Sequence, residues 1–561
     1  MKSETSHNIL YAILSGVLLA LAFPPLPFPL LAFIAMTPLL FIYSRESHTP
    51  KPFLYVYITF FLYHVGTNWW ISSWTKETDP YLLAAGLALD VLHPFFFFIP
   101  FWIFFIFKNK IGFDRAILYF PFIYLTFEWL HNLGEVGYSW LTLGYTQILN
   151  TWWIQFIDLT GIWGASFLLL WANVFFVKLS LLIINSKNKN IFKLLLSNKL
   201  ATNYLIGILL IIFVPYFYNF FVIKEYNYQE NVINHKTLNV GIVQPNINPW
   251  EKWSGNSISQ IALHQRISDS LISEISQINN PDINRLDLLI WSETAIPYVS
   301  VEFNSFDNID ILERWVTKNQ VPLLTGFSQF YLFTKNSKPS KWADKLPFDT
   351  AQYYVTYNSA VVIEPNKNYS HSLPPQVYQK TRLTPFAENF PYKNIFSFAV
   401  DWFNWGVGIS NWEKGAGAKN LVVKKGNDSI KIGTIICIES IYPDYVRKFA
   451  NQGAEMLTII TNDAWYDHTV GPRQHYLIAC ARAIENRRYI ARVANTGVSG
   501  LISPLGKSVY EIEQYKQKAI DFRVPLITNG TIYTKYGDWL PILSSIIVLI
   551  FLIYILTLKN K

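Results

Sequence analysis

The sequence predicts a multi-span α-helical membrane domain combined with an α/β domain that lies between its last two spans. Three observations predict it. Apolar residues fill 51% of the 561 positions and charged ones 15%, a balance outside the usual range of soluble domains. Runs of about 20 apolar residues, enough to cross a bilayer, recur before residue 225 and return once at the far end. Between about Thr237 and Arg523, short β-rich runs alternate with helical patterns instead.

The expected spans are 8–23, 28–44, 53–73, 81–107, 115–131, 160–185 and 203–223, with an eighth from Trp539 to Leu558. The chain thus divides into a membrane domain at 1–225, an α/β domain at 237–527 and a closing span at 539–558. The fourth span contains Asp90, His93, Pro94 and Pro100, so a kink or break is expected there. The first two are short and joined by a Pro-rich turn, which suggests a tight hairpin. Ala20 and Ala22 resemble a signal-peptide cleavage site, but Pro24 and Pro25 crowd it, and a retained span is the expectation.

Charge orients the spans. Arg45 and Lys51 follow the second, Lys108, Lys110 and Arg115 the fourth, and Lys187, Lys189, Lys193 and Lys199 the sixth. The alternate loops carry Lys76 and, between Asn132 and Thr160, neither Lys nor Arg. The positive-inside bias then puts both termini in the cytoplasm and the α/β domain on the opposite side, the periplasm of a bacterium. The net charge of +8 is spent largely in these loops, so a nucleic-acid partner is not expected. Trp140, Trp152 and Trp153, in an outward loop, suit either an interfacial anchor or an aromatic belt. Glu128 and His131, near the outward end of the fifth span, would meet headgroups or acceptor, or bond between helices.

Within the α/β domain the expected strands are Leu238–Val243, Leu286–Trp291, Tyr353–Ile363, Lys431–Cys437, Met456–Thr461 and Ile490–Val493. The expected helices are Ser257–Ile278, Pro443–Gln452 and Gln474–Arg488. Near-continuous apolar strands argue for sheets covered by helices. Cys437 and Cys480 are too few for a disulfide framework. His371, His468 and His475 lack metal-ligand spacing, so no metal is expected, and no phosphate-cradling loop appears.

Chemistry concentrates at three strand ends. Cys437 follows the apolar run Ile432–Ile436, where a turn toward a helix favours a lowered thiol pKa and a nucleophilic thiolate. Glu293 follows Leu286–Ile290, at the carboxyl edge where open α/β sheets place their sites, and suits a general base. Lys380 ends a further strand, where an ammonium can stabilise an oxyanion. Taken singly, a buried cysteine, a turn carboxylate and a solvated lysine are the plainer readings. Jointly they form the parts of a thioester acyl-transfer site. Five aromatics in 395–405 (Phe396, Phe398, Trp402, Phe403 and Trp405) suit an arm at the bilayer surface or ordinary packing.

The stretches WSETAIP around Glu293, YQKTRLTPFAENFP around Lys380 and ICIES around Cys437 resemble the nitrilase (carbon–nitrogen hydrolase) superfamily. With TNDAWYDHTVGPRQH from Thr461, ARAIENRRYIARVANTG from Ala481, FEWLHNLGEVGYSWLTLGYTQ from Phe127 and AFPP from Ala22, the chain is similar to the apolipoprotein N-acyltransferase family within it. The resemblance implies an αββα sandwich, with Glu293 as base, Lys380 as oxyanion stabiliser and Cys437 as nucleophile. It also implies that Glu388 supports the site, that Glu439 and Trp465 lie around the acyl thioester, and that Trp253 lies at the substrate entrance. It implies acyl transfer from a phospholipid, through a cysteine thioester, to the N-terminal amine of an S-diacylglyceryl-cysteine apolipoprotein, without cofactor, in the bacterial inner membrane. A monomer is expected. Arg382, Ala387 and Ile438 stand where the family usually has His, Gly and Tyr, which bears on lipid preference and rate. The alternatives are a membrane-tethered amidase or nitrilase acting with water, and a transporter or receptor with a periplasmic ligand-binding domain.

Overall fold

In the computed structural model, the described residues are 2–44, 51–72, 80–186, 195, 197–232, 236–252, 257–300, 307–333, 338–346, 351–367, 376–396, 398 and 412–557. The chain forms two compact units, one of 1–233, 469–481 and 536–561, the other of 234–468 and 482–535.

In the first unit five helical stretches among the described residues are long and apolar enough to cross a membrane. They are Thr5–Ala22, Leu82–Ile111, Ile162–Asn185, Lys199–Lys224 and Trp539–Thr557. The expected spans at 28–44, 53–73 and 115–131 contain shorter helices, including Thr37–Ile42, Pro52–Asn68 and Phe120–His131. The fourth is interrupted as its prolines suggest, by the 3-10 turn His93–Phe97. Breaks expose backbone groups that lipid cannot satisfy, so side chains must. Asn173 accepts from the Met36 amide at 2.8 Å and donates to the Ala32 carbonyl at 2.9 Å. Glu128 accepts from the Leu143 amide at 2.8 Å, and Asp538 takes the indole N–H groups of Trp129 and Trp163. His131, His93 and His64 form a hydrogen-bonded row ending on the Phe60 carbonyl, with ring nitrogens 2.7 Å apart at each step. Glu128 and His131 therefore bond within the helical unit. Trp140 and Trp153 are buried inside it, and of the three loop tryptophans Trp152 is the exposed one.

The second unit holds two sheets. Its strands are β1 Thr237–Gln244, β2 Leu288–Ile290, β3 Ile296–Ser300, β4 Leu323–Leu332, β5 Asp344–Lys345, β6 Tyr353–Ile363 and β7 Val377–Gln379. They continue as β8 Leu421–Lys425, β9 Asp428–Ile436, β10 Met456–Thr461, β11 Ile490–Ala494, β12 Ser499–Ile502, β13 Ser508–Ile512 and β14 Lys518–Pro525. Among the described residues the first sheet runs β14-β1-β2-β4-β6-β5, with β3 on β4 and β7 on β6, and the second runs β13-β12-β11-β10-β9-β8. The centres are parallel (β1, β2 and β4; β9, β10 and β11), which is why those strands are apolar on both faces. The sheets meet along β1 with β11 and β6 with β9.

Helices cover the outer faces. Ser257–Ser276 and Asp307–Asn319 bury Ile261, Leu271, Leu312 and Val316 against Leu289, Trp291 and Leu323 of the first sheet. Each such aliphatic side chain contributes about 1.5–3 kcal/mol by leaving water. Pro443–Asn451 buries Val446 and Phe449, and Gly433 on β9 lets Phe449 approach: a Cβ there would lie 2.8 Å from that of Phe449. This is the nitrilase-like sandwich, and it brings the carboxyl ends of β2 and β9 and the residue after β7 to the features described next.

Candidate active site

Each functional side chain follows a strand. Trp291, directly after β2, is fully buried, packs with its ring centroid 4.8 Å from that of His264 and donates to Ser268 at 3.1 Å. That anchor fixes Glu293 two residues on. Lys380 extends β7: its amide donates to the Asn358 carbonyl on β6 at 2.8 Å, and its carbonyl accepts from Gly415 at 2.9 Å. Cys437 follows β9 with φ of +51° and opens the 3-10 turn Cys437–Ile441. A cysteine in the left-handed region costs of order 1–3 kcal/mol, and such strain concentrates at active sites.

Glu293, Lys380 and Glu388 form one buried cluster. The Lys380 ammonium lies 2.8 Å from Glu388 Oε1 and 3.4 Å from Glu293 Oε1. Asn358 Nδ2 donates to both carboxylates, at 2.6 Å to Glu293 and 3.0 Å to Glu388, and the Thr384 amide donates to Glu388 Oε2 at 2.7 Å. Burial alone would drive Lys380 toward neutrality, but Glu388 and Glu293 hold its ammonium well above the ordinary lysine value. Burial likewise favours neutral Glu388, and Lys380, with the Thr384 amide, overrides it and keeps that carboxyl below the usual range.

The Cys437 thiol belongs to the same electrostatic cluster. Desolvation and then Glu293 push it well above the ordinary thiol value, while Lys380 and the Thr461 hydroxyl pull the other way. The lowered thiol pKa expected from the strand-end position is therefore corrected in direction: desolvation and the charge of Glu293 outweigh the pull of Lys380. Both cysteines are unbridged.

Glu439 is fully buried, and its oxygens are occupied by backbone and Tyr378. Oε1 accepts from the Thr381 amide at 2.7 Å and the Arg382 amide at 3.2 Å, and Oε2 from the Ile436 amide at 2.9 Å. Tyr378 lies 2.7 Å from both oxygens and 2.9 Å from Tyr445. Burial raises Glu439 to about 7 against the pull of the Ile436 and Thr381 amides. Its place is thus a brace between the Cys437 turn and the Lys380 segment. Trp465 lies on the turn Asp463–Tyr466, and Trp253 falls outside the described residues, as do Trp402, Phe403, Trp405 and His371. Phe396 and Phe398 are exposed. Arg382 stacks 5.1 Å over Tyr442.

Sequence reasoning missed Asn358, Lys252 and Tyr466. Asn358 had a signal, a polar residue inside the apolar β6 run. Tyr466 interacts electrostatically with Cys437, Glu388 and Lys380, and burial raises its phenol. The Lys252 ammonium reaches the backbone of Glu293 from a short helix, Pro249–Lys252, with no pattern to announce it.

Residues 15–175 match the apolipoprotein N-acyltransferase N-terminal domain, and residues 239–522 match carbon-nitrogen hydrolase. An apolipoprotein N-acyltransferase of Chlorobaculum tepidum is 32% identical, covering 94% of this chain and 93% of that protein. Apolipoprotein N-acyltransferase 1 of Treponema denticola is 28% identical over 98% and 97%. The apolipoprotein N-acyltransferase of Geobacter metallireducens is 27% identical over 95% and 92%.

Two outcomes test this geometry. A Cβ on Gly326 would lie 2.6 Å from the Thr294 nitrogen and 2.8 Å from the Glu293 Cα, backbone that cannot swing aside. Gly326→Ala should displace Glu293 and lower turnover about a hundredfold in protein that still purifies folded. Since Glu388 is depressed below about 4.5, its stabilisation should be complete above that pH and drain away as pH falls through its lowered value. Melting temperature against pH should show this acid-side loss in wild type and a smaller one in Glu388→Gln.

Proposed function

The chain belongs to the apolipoprotein N-acyltransferase family, and we propose that Cys437 carries an acyl group from a phospholipid to the N-terminal amine of an S-diacylglyceryl-cysteine apolipoprotein. The protein is a membrane N-acyltransferase of lipoprotein maturation. The observation that carries the residue assignment is the Lys380 ammonium held between Glu293 and Glu388, in electrostatic contact with the thiol.

In the first half-reaction Glu293 takes the Cys437 proton as Sγ attacks the ester carbonyl. A C–S bond forms, and the carbonyl π pair moves to oxygen, where Lys380 stabilises it. On collapse the C–O bond breaks and the lysophospholipid alkoxide leaves with the proton from Glu293. In the second, the apolipoprotein amine attacks the thioester, Glu293 takes its proton, and the C–S bond breaks. The thiolate leaving then recovers that proton. A thiol neutral at rest fits this sequence, because its proton is removed only as the C–S bond forms.

Trp465 and Trp253 are assigned to the lipid's path, and Glu388 and Glu439 to holding the charges in place. The domain division 1–225, 237–527 and 539–558 gives seven spans, the catalytic domain and a closing span. The Lys and Arg pattern of the loops supports a bacterial inner-membrane protein with both termini cytoplasmic and the catalytic domain periplasmic. It is taken to act as a monomer.

Incubation with phospholipid alone should leave an acyl mass on Cys437, and a diacylated lipopeptide should then remove it and become triacylated. Cys437→Ala should form neither product. Acyl release to water with none on the lipopeptide would mark a hydrolase instead.

A further inference from the structure

Lys252 stands outside the Glu293–Lys380–Cys437 set, yet it is buried against it at 1% exposure. Its ammonium donates to the Glu293 carbonyl at 3.0 Å and lies 2.8 Å from the Thr294 hydroxyl. Thr294 itself has φ of +46°, and a Cβ on Gly326 of β4 would lie 2.6 Å from its nitrogen. The lysine thus grips the turn that presents the base. Its own backbone is tied down, since Gln260 donates to the Lys252 carbonyl at 2.7 Å.

Charge balance gives the grip a second purpose. Glu293 and Glu388 share one ammonium, Lys380, which lies closer to Glu388. Two carboxylates share that one cation, and a further positive group nearby favours the charged form of a carboxylate. A proton on Glu293 would abolish the base. We infer that Lys252 is a positioning residue for Glu293, fixing its turn and supplying the second cation that keeps its carboxylate free to accept the thiol proton. The inference rests on the acyl-transfer reading above.

The groups facing Lys252 are consistent with this. Glu293 acts on it from the turn after β2 and His264 from the helix Ser257–Ser276. Burial drives His264 down to about 4, so it brings no competing charge at neutral pH. Burial draws Lys252 itself down to about 7, while the Glu293 carboxylate favours its charged form.

The test follows the first half-reaction in full-length protein in phospholipid vesicles, measuring the acyl mass on Cys437 against time and pH. Lys252→Met should acylate about tenfold or more slowly at neutral pH and recover as pH rises, because its acidic edge moves up. Lys252→Arg, which keeps the charge, should leave that edge at the wild-type position even if the rate falls. A Lys252→Met edge coinciding with wild type would overturn the inference, whatever the rate. If Lys252→Met does not fold, an upward-shifted edge in Lys252→Arg overturns it equally. Absence of any adduct on the wild-type protein would instead defeat the acyl-transfer reading itself.

Discussion

The buried ammonium of Lys380 organises this site. It sits 2.8 Å from Glu388 and 3.4 Å from Glu293, with 1% of its side chain exposed. Removing one partner of a buried ion pair costs about 3–5 kcal/mol, because the partner's charge is left unmatched. Here a lost Lys380 would strand two carboxylates. The ammonium is therefore a condition for placing Glu293 and Glu388 in the interior at all, and the oxyanion role proposed for it would draw on the same charge.

The fold supplies what one ion pair cannot, a fixed separation between strand ends on different sheets. Glu293 and Lys380 follow strands of the first sheet and Cys437 follows one of the second. The Glu439 brace crosses that gap, accepting from Ile436 beside the cysteine and from Thr381 beside the lysine. Asn358 does similar work within the first sheet, bonding both carboxylates from β6. The strained backbone at Cys437 is held by this surrounding bonding, including the Ser440 hydroxyl on the Cys437 carbonyl at 2.8 Å. Strain of a few kcal/mol persists only where neighbours over-determine it.

Much of this was legible in the chain. The strands Tyr353–Ile363 and Met456–Thr461 and the start of the helix at Ser257 coincide with expectation, because apolar runs bounded by polar turns define them. Glu293 and Lys380 stand out at strand ends in the sequence and Glu388 through the family resemblance, and the structure brings the three side chains together. What the sequence did not display were contacts fixed by tertiary packing. Lys252 comes from a four-residue helix, and β4 was not anticipated although it carries the Gly326 that abuts Glu293. The upward push on the Cys437 thiol was hidden for the same reason: local sequence shows a turn, whereas desolvation and the charge of Glu293 are properties of the assembled site. In the helical unit, Trp140 looked like an interfacial residue, yet its indole N–H reaches Gln474 at 2.8 Å.

In the proposed reaction Cys437 starts as a protonated thiol and is activated only during attack, by Glu293 within a field set by Lys380. The most direct test is the alkylation rate of Cys437 in substrate-free protein as a function of pH, read by mass spectrometry of the Cys437 peptide. Labelling should be slow through neutral pH and rise only in the alkaline range. Rapid labelling with a plateau already reached at neutral pH would reveal a resting thiolate and contradict a protonated starting state.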